Sequence, residues 1–356
     1  MADMIMVSIC CVAYNQESYV RQALDSFLAQ KTNFPFEILI SDDASPDRTA
    51  DIIREYEQKY PEIVKPIYFS ENQYSRGVNI DEKNYERASG KYIAVCEGDD
   101  YWIDEYKLQK QVDYMESHPD CTFCFTNGYF LSGGKYWKKF VPAHPQCYQL
   151  REGQEDLDAG EIALLGATPT ASYLWPREKV VFPDLPEDTF NGDLFLSIYG
   201  AGCGYAHFMD EYTCIYRIDN PNSLQHTWQA DISKFIRVQN SVQNLFRELK
   251  PLTGHRFDKI MDFMIFTNKA DTFMASKDAQ ALKDLVRSGE VKILDEPGLW
   301  SDEAKDLYRN YCYHPGRCIF KQSMEYQGAK LLHKLIDNSP ALVNFYKKLR
   351  GRGEDS

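Results

Sequence analysis

The sequence predicts an α/β protein: a mostly parallel sheet flanked by helices, continued by an α-helical C-terminal region. Short apolar, β-rich runs alternate with helically spaced segments over the first part of the chain. Their connections are short, which implies right-handed crossovers and a parallel sheet. Polar or acidic clusters close three of those runs, and ligands of such sheets bind beyond the carboxyl ends of the strands. From about Asp231 the composition turns to helical segments alone, so a boundary is placed near residues 226–231. It divides the chain into units of 1–228 and 229–356.

The first strand, Val7 to Val12, ends at Ala13-Tyr14-Asn15, and Val20, Leu24, Phe27 and Leu28 then recur at helical spacing. Phe36 to Ile40 is a second strand, closed by Ser41-Asp42-Asp43-Ala44-Ser45-Pro46-Asp47. Asp47 or Ser45 suits the cap of a helix over Thr49 to Tyr60. A third strand, Ile63 to Phe69, and a helix through Tyr85 to Ala88 lead into a buried strand, Lys91 to Cys96. Lys107 to Ser117 reads as a helix, Cys121 to Phe130 and Tyr173 to Trp175 as strands. Asn191-Gly192-Asp193 opens a helix with Leu194, Phe195 and Ile198 on one side. Gly200, Gly202 and Gly204 end it before a strand from Tyr205 to Met209. They follow a helix instead of joining strand to helix, so they form no dinucleotide fingerprint. The later helices are expected at Ile232 to Leu249, Phe257 to Ala275, Ala279 to Arg287 and Gly328 to Leu349.

The strand Lys91 to Cys96 stops on Glu97-Gly98-Asp99-Asp100, a run that sets three carboxylates at a solvent-facing strand end. That much negative charge is costly unless a cation sits there. Hard divalent cations prefer carboxylate oxygens, and Mg2+ is usually held by one or two carboxylates plus substrate phosphates. The turn is therefore read as a metal–diphosphate site, against the commoner solvated acidic turn.

Composition narrows the partners. Hydrophobic residues at 44% and charged residues at 26% are those of a globular protein. Forty basic against fifty-three acidic residues leave a net charge of -13, which argues against a nucleic-acid binder. Met1 to Met6 lack the features of a signal peptide and no apolar run is long enough to span a bilayer, so the protein is expected in the cytoplasm. Cys121 and Cys124 form one Cys-x-x-Cys, but without a second ligand pair and within a strand they read as buried free thiols.

The motifs Val7-Ser8-Ile9-Cys10-Cys11-Val12-Ala13-Tyr14-Asn15, Asp42-Asp43-Ala44-Ser45-Pro46-Asp47-Arg48-Thr49 and Glu97-Gly98-Asp99-Asp100 resemble family-two inverting glycosyltransferases of the GT-A fold. Asp99-Asp100-Tyr101-Trp102 with Lys107-Leu108 and Gln111-Val112 resembles a bacterial, surface-glycan branch of that family. The resemblance covers roughly residues 5 to 226, and residues 231 to 356 carry no signature.

What the resemblance implies is specific. Tyr14 would pack on the nucleotide base, with Asn15 beside it, and Asp43, with Asp42 next to it, would bind the uracil edge. Asp99 would lie near the ribose and Asp100 on an Mn2+ or Mg2+ ion, with Glu97 a further oxygen ligand. Asp193 resembles the catalytic base, ahead of Asp188; as the start of a helix it would also serve as an ordinary cap. Tyr216-Arg217 matches a Tyr-Arg pair of the family, which leaves Arg217 either facing the diphosphate or in a bidentate structural pairing. The family often has a metal-reaching His two positions after that Arg; this chain has Asp219 there, with His226 farther on. Thr170 and Ser172 fall where the family places an acceptor-facing strand.

The implied activity is a metal-dependent inverting transfer of a hexose-type sugar from a nucleotide-diphosphate donor, a UDP-sugar first, to a glycan, glycolipid or glycoprotein. Inversion needs a base for the acceptor hydroxyl, and a carboxylate fills that role. A nucleotidyltransferase would want a glycine- and basic-rich loop after the first strand, which Ala13-Tyr14-Asn15-Gln16-Glu17 does not supply. The rival of another class is a catalytically impaired GT-A domain acting as a binding or scaffold subunit. Lys347-Lys348-Leu349-Arg350-Gly351-Arg352 beside Leu342, Val343 and Phe345 would suit peripheral contact with an anionic membrane. Oligomeric state is not encoded in any motif.

Overall fold

A computed structural model describes residues 4–132, 134–141, 147–183, 192–218 and 232–322. Strands β1 (Val7–Ala13), β2 (Phe36–Asp42), β3 (Val64–Tyr68) and β4 (Tyr92–Val95) form a parallel half-sheet in the order β3-β2-β1-β4. Helices α1 (Val20–Leu28), α2 (Thr49–Lys59) and α3 (Ile80–Arg87) make the crossovers. The chain continues through the helix at Lys107, the strands at Cys121, Leu174 and Tyr205 and the helix carrying Asp193, all of which the sequence predicts, joined by short strands that it does not. After β5 (Tyr101–Trp102) and α4 (Lys107–Ser117) come β6 (Cys121–Ser132), β7 (Lys135–Lys139), β8 (Asp156–Leu157), α5 (Ala159–Leu165), β9 (Leu174–Pro176), α6 (Gly192–Gly202) and β10 (Tyr205–Arg217). β9 lies antiparallel between β4 and β6, β10 runs parallel to β6, and β5 lies antiparallel on β10.

Apolar alternation puts β1 between two layers. Val7, Ile9, Cys11 and Ala13 join Leu24, Phe27, Ile53 and Leu108 on one face, while Cys10 faces the other cluster. The second cluster continues from Phe123, Ile162 and Ile198 into α7 (Ile232–Leu252) and α8 (Asp258–Ala275), and on to α9 (Ala279–Arg287) and α10 (Asp302–Tyr313). All ten cysteines are free; burial pushes the Cys121 thiol up to about 12, as expected of an inert buried group. No helix among the described residues is long and apolar enough to cross a membrane.

Three expectations need restating against this geometry. Thr170 and Ser172 do not lie on a strand: they form a single 3-10 turn, closed by Ser172 N donating to Pro169 O at 2.9 Å and by the Ser172 hydroxyl donating to the same oxygen at 2.7 Å. α5 and α10 were not anticipated, although Asp158 and Glu161 form a capping box and Ser301 caps α10. Asp188, Asn191, Asp219, His226, the segment 226–231, the helix expected at Gly328 to Leu349 and the basic end lie outside the described residues.

The amino ends of the strands are stitched by one carboxylate. Glu37, 2% exposed, accepts from the Ser8 hydroxyl at 2.7 Å, the Ser89 amide at 2.9 Å and Lys65 Nζ at 2.6 Å. It thereby ties β1, β2, β3 and the turn that delivers β4. Burial alone would raise this carboxyl, but the bonds from Lys65, Ser89 and Ser8 outweigh it and hold it at about 2. Glu37→Gln is expected to cost about 2 kcal/mol at neutral pH. A carboxyl held below its usual 4.5 adds stability above that pH and loses it as pH falls toward 2. Urea denaturation of both proteins should show a gap that narrows below pH 4.5 and closes near pH 2; a gap unchanged at low pH would refute the ionised role.

Candidate active site

The carboxyl ends of β1, β2 and β4 meet at one edge of the sheet. Two loops there are laced together: Asn15 N donates to Ser45 Oγ at 3.0 Å, Gln16 N to Thr49 Oγ1 at 2.8 Å and Glu17 N to Asp47 Oδ2 at 2.9 Å. Asp47 also accepts from Thr49 N at 3.0 Å, the contact that starts α2. Asn15 and Ala44 hold φ of 55° and 57° in these loops. Asn tolerates that region; for Ala it stores strain of about 1 kcal/mol, a common mark of a working site. Tyr14 leaves this lacework with its ring 42% exposed.

The neighbouring aspartates divide their work. Asp43 is buried, and its carboxylate accepts from Gln73 N at 2.6 Å and Tyr74 N at 3.2 Å, anchoring the segment that precedes α3. Asp42 accepts from Ser45 N at 3.2 Å through Oδ2, while its buried Oδ1 has no hydrogen-bond partner. Burial raises the Asp42 carboxyl, with the Ser45 bonds opposing. Asp43 thus shapes the rim, and Asp42 keeps the unanswered oxygen.

The acidic turn follows β4. Asp100 is 1% exposed and accepts through Oδ1 from Arg217 N at 2.9 Å; its buried Oδ2 has no hydrogen-bond partner. Burial and then the charges of Asp99 and Glu97 push the Asp100 carboxyl well up. The Glu97 carboxyl is also raised, by the protein crowded around it and by Asp99, Asp81 and Asp193. Because Glu97 reaches water at the mouth of the cleft, its neighbours' charges are the larger cause. Gly98 lies in a tight space: a Cβ there would stand 2.4 Å from Gln16 Oε1 and 3.1 Å from Ala13 Cβ.

Arg217 is the counterweight. Its Nε donates to the Asp99 carbonyl at 2.6 Å, and its guanidinium lies 4.9 Å from the Tyr19 ring and 5.0 Å from that of Tyr101. Expected among the donor-binding residues, it stands here as the clamp of the acidic turn.

Asp193 begins α6 as an exposed residue. Its Oδ1 accepts from Leu194 N at 2.9 Å and its Oδ2 from the Thr170 hydroxyl at 3.3 Å. Its charge adds to the rise of the Glu97 and Asp81 carboxyls, so it lies within electrostatic reach of the acidic turn. Asp81, on α3, is a site residue that the sequence reading missed. Burial, then Asp193 and Glu82, push it up to about 6. In sequence it is one more acid in the first turn of a helix capped by Asn79, indistinguishable from a dipole-complementing residue.

The cleft therefore collects Tyr14, Asn15, Asp42, Asp43, Glu97, Asp99, Asp100, Asp193 and Arg217; Asp219 lies outside the described residues. No three His, Cys, Asp or Glu side chains among the described residues make a closed cation cage. One or two carboxylates completed by substrate phosphates is a different arrangement, and the unanswered Asp100 Oδ2 fits it.

An open α/β sheet with an acidic cleft at its carboxyl edge is the frame of enzymes that handle nucleotide-linked substrates. The glycosyl transferase family 2 model matches residues 8–167. The chain is 31% identical over 229 residues to TuaG of Bacillus subtilis (strain 168), described as a teichuronic acid biosynthesis glycosyltransferase, spanning 63% of this chain and 84% of TuaG. The chain belongs to glycosyl transferase family 2, and it is a glycosyltransferase. Two solved structures share the GT-A fold. Staphylococcus aureus TarS 1-349 in complex with UDP superposes with TM-score 0.58 at 16% identity, covering 91% of this chain and 92% of that one. The mannosyltransferase PcManGT of Pyrobaculum calidifontis, in complex with GDP-Man and Mn2+, gives TM-score 0.50 at 14% identity, covering 89% and 86%.

Asp100→Asn removes a buried charge that repels its neighbours and offers them a donor. It is expected to raise the melting temperature of the ligand-free protein by about 2 °C, read by differential scanning calorimetry. A lower melting temperature would mean that the Asp100 charge is already compensated.

Proposed function

We propose that this protein is an inverting, divalent-metal-dependent glycosyltransferase whose donor is a UDP-sugar. The observation that carries the reading is the pairing of an acidic turn, with Asp100 Oδ2 unanswered, and a carboxylate, Asp193, within electrostatic reach of it. Tyr14 offers an exposed side chain for the base, and Asp42 offers its unanswered Oδ1 to the edge of uracil while Asp43 holds the rim beside it. An acceptor hydroxyl would attack the anomeric carbon as the bond to the diphosphate breaks on the opposite face. Asp193, exposed at the start of α6, would take the hydroxyl proton. Mn2+ or Mg2+ held by Asp100 and Asp99, with Glu97 and Asp219 as further oxygen ligands, would neutralise charge on the leaving diphosphate. The UDP in the TarS complex supports the choice of nucleotide, and the Mn2+ in the PcManGT complex supports the metal. The TuaG likeness supports a role in polysaccharide assembly; a place on the cytoplasmic face and peripheral membrane contact are proposed from the sequence alone.

The test is UDP release from UDP-glucose and UDP-GlcNAc, with and without Mn2+. Asp193→Asn is expected to lower turnover by about 100- to 10,000-fold and to leave UDP affinity unchanged. Asp100→Asn is expected to abolish the response to Mn2+. Turnover indifferent to both substitutions would sink the assignment of the site, and intact UDP binding with no transfer in the wild type would favour a scaffold role.

A further inference from the structure

We propose that Trp102, Lys107 and Gln111 form a positioning device for the Asp193 carboxylate, acting through the turn Pro169–Tyr173. The proposal rests on Asp193 being the base, and its geometry can be tested apart from that reading.

The turn is held from three sides. Trp102 Nε1 donates to Ala171 O at 2.6 Å, Gln111 Nε2 donates to Ser172 O at 2.9 Å, and Thr126 N donates to Ser172 Oγ at 3.1 Å. The turn then presents one hydroxyl outward, and Thr170 Oγ1 donates to Asp193 Oδ2 at 3.3 Å. Every anchor lies below the surface: Lys107, Gln111 and Ser172 are fully buried.

Lys107 gives the cluster its logic. A fully buried lysine is rare, and burial lowers this one to about 8. Its ammonium lies 4.3 Å from the Trp102 ring and donates to Gln111 Oε1 at 2.8 Å. A lysine can only donate, so it fixes the carboxamide oxygen toward itself and leaves Nε2 to reach Ser172 O. The Trp102 ring, packed 4.8 Å from Phe27, is likewise left one orientation for its N–H. No solvent-side role explains so much buried polarity behind a short turn; aiming that turn does.

The device also joins the two halves of the site. Trp102 follows Asp100 by two positions and pairs through β5 with Cys214 on β10, the strand that supplies Arg217. One segment thus carries an acid of the donor side and an anchor of the base side. Asp81 from α3, Glu97 from the acidic turn, and Tyr173 and Tyr216 also face the charge of Asp193, so a donated hydroxyl proton steadies the ionised carboxylate against two like charges.

The experiment follows the titration of Asp193 by carbon-detected NMR on the full chain labelled at aspartate, with Asp193→Asn assigning the signal. Thr170→Val is expected to raise the midpoint by about 0.5 in pH, and Thr170→Ser to return it. Gln111→Met and Trp102→Phe are expected to raise it in the same direction with Thr170 intact, a change that mere loss of stability would not produce. A midpoint unmoved in Thr170→Val overturns the contact. Midpoints unmoved in both Gln111→Met and Trp102→Phe overturn the device. Turnover that survives Asp193→Asn while Thr170→Val still shifts the titration defeats the base assignment and leaves the positioning contact standing.

Discussion

The rest of the site depends on one arrangement: a self-repelling acidic turn held by an arginine from the far end of the catalytic sheet. Burial and the charge of Asp99 raise the proton affinity of Glu97 and Asp100, and Glu97 adds to that of Asp100, so the turn depends on fixed donors to stay closed. Arg217 holds the turn twice, with a neutral backbone N–H on the Asp100 carboxylate and its charged guanidinium on the Asp99 carbonyl. The two Tyr rings beside the guanidinium hold its plane, so its direction is set before any donor arrives. This also explains why the parallel half-sheet is not enough. β10 must lie next to β5 for Arg217 to reach the turn, and the antiparallel elements β5 and β9 complete the sheet around that contact.

The two ends of the strands follow opposite rules. At the amino ends Glu37 has a partner for each oxygen, and its charge adds stability. At the carboxyl ends Asp42 Oδ1, Asp100 Oδ2 and Gln16 Oε1 are buried without hydrogen-bond partners, and Ala44 holds strained backbone. Unanswered acceptors gathered at one end of the sheet are a standing cost, and proteins keep such costs where a ligand will meet them.

Much of this was legible because the signals are local. Val7–Ala13, Phe36–Asp42 and Tyr92–Val95 are apolar enough to be buried on both faces, and their polar ends mark the edge where ligands bind. Asp99 and Asp100 stood out as acids crowded at a strand end, whereas Asp193, one of many acids at helix starts, stood out only through its resemblance to the family's motif. What escaped depends on distant partners. Nothing around Asp81 says that Asp193 will face it, and nothing in Thr-Ala-Ser says that Trp102 and Gln111 will draw that segment into a turn. The division of labour between Asp42 and Asp43 is set by the amides of Gln73 and Tyr74, thirty residues on.

The helical C-terminal region belongs to the same physical problem. Leu245, Phe246, Met261 and Phe263 share a cluster with Phe123, Ile162 and Ile198, so the change of composition after the catalytic sheet is not a change of core. The fit is close at Gly160 of α5, where a Cβ would stand 2.5 Å from Ile260 Cδ1 and 2.8 Å from Phe257 Cδ1. Trp300 Nε1 donates to Leu164 O at 3.1 Å, and Arg256 caps α6 by donating to Gly202 O at 2.8 Å. These contacts fix α5 and α6 from behind. α5 leads into the turn that carries Thr170, and α6 carries Asp193 on its first turn. A helix end can present a carboxylate to a reacting hydroxyl only if the helix itself cannot rock. Among the described residues the sheet braces α6 on one side and α7 braces it on the other. If Asp193 is the base as proposed, the C-terminal helices act on the chemistry without touching it, by removing the freedom of the element that holds it.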